Sequence, residues 1–175
     1  MEDNEHENPF KFEEMPIYKK AMEISKLADK VVELVRDKQT ELPEGAEGEM
    51  IQDYGHYIRL NAMTIPAKIA GAEGGDLYDL RMENAAIIRK AAREIKVDCT
   101  GLKMCGFKDE DYLELLRNEI DEFRPLFAEW VKSFDQWNYI IDRWGLFNPS
   151  GVNYDDEDPD DDIPFNPDDF FDEDL

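Results

Sequence analysis

Histidine and cysteine are scarce in this chain, two of each in 175 residues, and that scarcity removes whole classes of chemistry. Cys99 and Cys105 lie six apart with no second pair, so neither a zinc knuckle nor a C-x-x-C redox motif can be assembled. Two small buried thiols in a reducing compartment are the expectation. Neither His6 nor His56 belongs to a Glu-x-x-His motif, which excludes the di-iron site that helical bundles build from paired motifs of that kind. Asp53-x-x-His56 is a lone pair at helical spacing, read as surface polarity. The chain also lacks a phosphate-binding G-x-x-x-x-G-K-[ST] loop, a G-x-S-x-G elbow and a dinucleotide fingerprint. Gly74-Gly75 has neither the spacing nor the preceding strand of a phosphate loop, and reads as a helix break. Apolar runs are interrupted by charge before membrane-spanning length, and no secretory pattern opens the sequence. The expectation is a cytoplasmic protein with no metal, no cofactor, no catalytic residue and no membrane contact.

Bases are missing from both ends. Residues 1–10 carry four acids and residues 151–175 carry twelve, without a single Lys or Arg. All 20 bases lie between Lys11 and Arg143, against 27 acids, so the body is only −7 of the total −23. Such a balance argues against a general nucleic-acid coat but leaves room for a local basic stripe. The segment 148–175 is rich in Pro, Gly and Asp, with apolar points at Tyr154, Ile163, Phe165, Phe170 and Phe171. It cannot bury enough surface to fold alone, and its blocks of like charge fit an interaction tail. Three regions follow: a flexible acidic arm over 1–12, a helical body over 13–147, and an acidic tail over 148–175 that is either disordered or wrapped on the surface.

Within the body the apolar spacing is helical. Ile17, Ala21, Ile24, Ala28, Val31 and Val35 recur at 4-3-4-3-4, the seam of an amphipathic helix opened by Pro16 in its first turn. It ends near Gln39, and LPEGAEGE supplies the breakers. A second helix from about Glu49 carries Ile51, Tyr54, Ile58, Ala62, Ile65 and Ile69, with Gly71, Gly74 and Gly75 to stop it. Pro66 removes one backbone donor and predicts a kink, as a feature of the fold or of a site. A third helix spans about Asp76 to Cys105, with Leu77, Leu80, Asn84, Ile87 or Ile88, Ala91, Ile95, Asp98 and Leu102 near its seam. Asn84 and Asp98 are either buried pins on register or boundary positions reaching water. Gly106 closes this helix, with Phe107 placed to pack beyond the cap.

The fourth helix is expected from Asp109 to about Trp144, roughly 54 Å against roughly 36 Å for the first. It must therefore overhang its partners or bend at Pro125. Phe123, Trp130, Trp137 and Trp144 repeat every seven residues along it, beside a core seam through Leu113, Leu116, Ile120, Phe123, Phe127, Val131 or Trp130, Phe134 and Ile141. A second aromatic line marks either a contact with another subunit or segment, or a wide intramolecular core. Trp130, Trp137, Trp144, Tyr154, Phe165, Phe170 and Phe171 are accordingly the candidate partner or oligomer contacts.

One basic stripe stands out. Between Ile87 and Cys105, Arg89, Lys90, Arg93, Lys96 and Lys103 face only Glu94 and Asp98. Arg89, Arg93, Lys96 and Lys103, at 4-3-7 spacing, share one helix face. This face either meets phosphate or an acidic partner surface, or is a solvated face paired with neighbouring acids. No interleaved aromatics strengthen a nucleic-acid role.

The stretch RLNAMTIPAKIAGAEG (59–74), with FEEMPIYKKAMEI (12–24) and KMCGF (103–107), resembles a bacterial four-helix-bundle family. That family includes proteins encoded in intervening sequences of large-subunit ribosomal RNA genes and the accessory variability determinant of diversity-generating retroelements. The resemblance runs from about Phe12 to Trp144. It implies an all-α, antiparallel up-down-up-down four-helix bundle, here with a long fourth helix and an acidic C-terminal extension. It also implies a ring-shaped homopentamer and a non-catalytic accessory role toward RNA, DNA or a reverse transcriptase. Lys68 and the acidic tail depart from the family pattern. Beside this stands a protein-interaction scaffold using the Trp line and tail without nucleic acid, with a basic protein as the tail's partner, or a tail that mimics nucleic acid.

Overall fold

The computed structural model describes residues 11–37 and 44–158. Among them all regular structure is helical: a 3-10 turn at Lys11–Glu14, then α1 (Pro16–Asp37), α2 (Ala46–Glu73), α3 (Tyr78–Met104) and α4 (Glu110–Lys132). The arm at 1–10, Gln39 and the tail beyond 158, with Ile163, Phe165, Phe170 and Phe171, lie outside the described residues.

α1 starts at Pro16, whose missing N–H costs nothing in a first turn, and all six expected seam residues are buried. They meet a seam on α2 of Ile51, Ile58, Ala62, Ile65 and Ile69, each fully buried. Each buried Ile contributes about 1.5–3 kcal/mol of transfer free energy. Contacts between neighbouring helices run in opposite chain order. Asp29 pairs with Arg59 while Val35 lies against Gly55. Gly101 lies against Tyr54 and Gly71 against Asn84. Lys96 pairs with Asp121 while Lys103 pairs with Glu110. Lys20 closes α1 against α4 by reaching both Glu119 and Glu122.

α2 runs through Pro66, which is buried, without a break. On α3 the buried strip is Ala85, Ile88, Ala91, Ala92, Ile95, Asp98, Cys99 and Leu102. Ile88, Ala91, Ile95, Asp98 and Leu102 of the expected seam are buried; Ala85, Ala92 and Cys99 widen it, and Leu80 is half exposed. The small side chains on this strip and Gly101 let α2 approach closely. Gly106, at φ +82°, ends the turn after α3, and Phe107 donates its N–H to the Leu102 carbonyl while its ring is buried. That is the cap the sequence predicts.

The expected long fourth helix is not there. α4 stops at Lys132 after 23 residues, shorter than the 28 of α2. Short side chains redirect the backbone. The Ser133 hydroxyl donates to the Trp130 carbonyl, Asp135 accepts from the Trp137 N–H, and Asn138 donates from its amide to the Asp76 carbonyl. Such local side-chain bonds compete with helix continuation. The Tyr78 N–H also donates to the Asn138 carbonyl, tying this segment to the start of α3. Among the described residues no helix continues α4 past Lys132, and Pro125 sits within α4.

Candidate functional site

The basic stripe does not present five equivalent cations. Lys90 pairs with Glu94 at 3.1 Å, Lys96 with Asp121 at 2.6 Å and Lys103 with Glu110 at 2.7 Å. The Lys96 ammonium holds the Asp121 carboxyl below its usual range, and Glu110 raises Lys103. Arg89 and Arg93 form no ion pair with other described residues, and both are exposed.

These two arginines edge a groove of about 870 Å³ between α3 and α4. Arg89, Arg93, Lys96 and Arg124 rim it, against the single carboxylate of Asp121; Ala92, Phe123, Phe127 and Pro125 supply apolar lining. On the α4 side Pro125 and Ala128 put little side-chain bulk into this lining. Nearer the other end, Arg117 bridges the helices through the Lys96 carbonyl at 3.0 Å and the Thr100 hydroxyl at 2.7 Å. Arg124, a groove residue, was outside the sequence-predicted stripe because it comes from the neighbouring helix.

The three tryptophans do not form one line. Trp130 is drawn into the core, 4% exposed, which removes it from the candidate partner contacts. Its indole N–H donates to Glu73 at 2.8 Å, and Arg81 pairs with the same carboxylate. The Arg81 guanidinium also stands 4.3 Å from the Phe134 ring centre, and Phe134 meets Trp130 edge-on at 4.8 Å. Sequence reasoning missed Glu73 and Arg81, since three different helices bring this node together.

Trp137 and Trp144 lie beyond α4, 65% and 96% exposed, with Ile140, Leu146 and Tyr154 also exposed. Their backbone is held firmly. Asp142 accepts N–H bonds from Trp144, Leu146 and Phe147 at 2.8–2.9 Å, which hold its carboxyl below the usual range, Phe147 first. Asn148 clasps the Asp142 backbone from both sides. Gly145, at φ +71°, makes the turn, and Arg143 donates to the carbonyls of Tyr154 and Asp156. The pattern D-x-x-G-x-x-N is a turn signal that could have been read from residues 142–148.

Other titratable groups are structural. Burial pushes the Cys99 thiol up to about 12, keeping it neutral. No group of three or more His, Cys, Asp or Glu is placed to hold a metal among the described residues. No helix among them is long and apolar enough to cross a membrane. Comparison with protein-family models, curated proteins and solved structures returns no significant match.

Proposed function

We propose that this protein is a non-catalytic accessory or scaffold protein, built as an up-down-up-down bundle, that holds a protein partner on its tryptophan-bearing C-terminal ledge. The carrying observation is Trp144, almost wholly exposed on a backbone fixed by five hydrogen bonds to Asp142 and Asn148. A large aromatic held in water on a rigid turn is preorganised for burial in an interface. Trp137, Ile140 and Leu146 extend the apolar ledge around it. A nucleic-acid enzyme such as a reverse transcriptase is the partner class the family resemblance implies. Homo-oligomerisation, with a pentamer favoured, draws support from Met50, Tyr57, Leu60 and Met63, all exposed on the outer side of α2.

Light scattering on the full chain and on Trp137→Ala/Trp144→Ala tests this directly. The expected result is a wild-type mass that is a multiple of 20.4 kDa, with the variant losing either that assembly or its captured partner. A variant with the same mass and the same partners would sink the proposal.

A second reading, direct RNA or DNA binding, is favoured by the α3/α4 groove alone. It predicts salt-sensitive retardation of an RNA oligonucleotide by a full-length variant whose acids in 159–175 are changed to Asn or Gln, lost when Arg89→Glu/Arg93→Glu is added. Migration of the RNA unchanged at low salt would remove it.

A further inference from the structure

We infer that the groove between α3 and α4 is the docking site for the chain's own acidic segment, residues 159–175. Three observations meet here. The groove rim carries Arg89, Arg93, Lys96 and Arg124 against one acid, a net +3 island on a chain of −23. The segment PDDDIPFNPDDFFDEDL carries eight acids and no base, with Phe165, Phe170 and Phe171 spaced among them. Acids to the rim and rings to the apolar lining is a match in both charge and character.

Reach is the third point. The Tyr78–Asn138 bond places the post-α4 segment at the start of α3. Arg89 lies eleven residues further along that helix, about 16 Å. Arg143 holds the Asp156 carbonyl at 2.7 Å, and Arg143 is five residues from Asn138, at most about 17 Å of extended chain. Phe170 follows Asp156 by fourteen residues, up to about 48 Å. Phe170 and Phe171 therefore reach the groove even by the longest route, whereas Phe165, at most about 31 Å past Asp156, reaches it only by a shorter one. Docking within one chain also carries the advantage of a high effective concentration. An occupied groove would be closed to external anions, so the segment acts as an internal competitor for whatever else this cationic face could bind.

Paramagnetic relaxation in the full-length protein tests the assignment. A spin label is placed at Asn166→Cys in a Cys105→Ser background, Cys99 being buried. Backbone amides of residues 89–96 and 120–128 are expected to broaden selectively. Arg89→Glu/Arg93→Glu should abolish the broadening with the amide dispersion retained. Phe165→Ser/Phe170→Ser/Phe171→Ser keeps every charge and should weaken it several-fold. Broadening that disappears when the labelled protein is diluted into an excess of copies without the label would overturn the proposal and assign the groove to a neighbouring copy. Absence of broadening at these amides, or broadening indifferent to the arginines, would overturn it and leave the groove to an external ligand.

Discussion

Asp98 and Gly101 stand one turn apart on α3, and each shows how one residue can set a local energy. Asp98 is 9% exposed, and burial, then repulsion from Glu94, pushes its pKa up to about 6. Its folded pKa thus lies above its unfolded value, so the native state binds the extra proton and stability falls as pH rises from about 4 through 6. Asp98→Asn is expected to match wild type near pH 4 and exceed it by about 1–2 kcal/mol near pH 8, solvent screening having been allowed for. Urea unfolding at both pH values checks this, and a difference independent of pH would refute it. Gly101 lies under the Tyr54 ring, where an added Cβ would overlap ring carbons. Gly101→Ala is expected to cost about 1 kcal/mol net, the overlap outweighing the gain in helix propensity. In a Tyr54→Leu background the same change should become stabilising, which a double-mutant cycle reads.

At the scale of elements, α4 is where sequence and structure part. Its seam through Phe123, and Phe134 beyond it, was legible because apolar period is a local property. Its end was not, because Trp137 and Trp144 continue the seven-residue spacing past Ser133 while Ser133, Asp135 and Asn138 bond the backbone elsewhere. Equal spacing therefore hides unequal roles. Trp130→Ala should cost about 3–5 kcal/mol in thermal or denaturant unfolding of the bundle, and Trp144→Ala should stay within about 0.5 kcal/mol. Comparable losses from both would contradict the placement of Trp144 in solvent. Lys20, raised by Glu122, Glu119 and Glu23 around it, is the polar clamp between α1 and α4. Lys20→Met leaves those carboxylates facing one another and is expected to cost about 1 kcal/mol. Unfolding of the variant at low and high salt, with the deficit shrinking at high salt, checks the electrostatic origin.

For the whole molecule, charge is unevenly shared. A chain of −23 with acids crowding both ends repels itself, and stability is expected to rise as ionic strength increases from about 0.01 to about 0.15 M, where screening shortens to about 8 Å. Calorimetry in that series measures it. A melting temperature that falls with added salt would mean that ion pairs, such as Lys96–Asp121, outweigh the repulsion. The groove rim is the exception to the acidic field. Of the five stripe cations, only Arg89, Arg93 and Lys96 edge it; Lys90 and Lys103 are taken up by nearby glutamates.

By itself the sequence determined four helices, their buried seams, the start at Pro16 and the cap at Gly106–Phe107. Periodicity, proline and glycine act within a few residues, and their effect is written along the chain. Tertiary structure decided that Leu80 leaves the α3 core while Ala92 and Cys99 join it, where α4 stops, and that Trp130 lies inside while Trp144 lies in water. It also decided that Arg124 joins Arg89 and Arg93 around one groove. Those outcomes depend on distances between residues far apart in the chain, which spacing along a single helix does not encode.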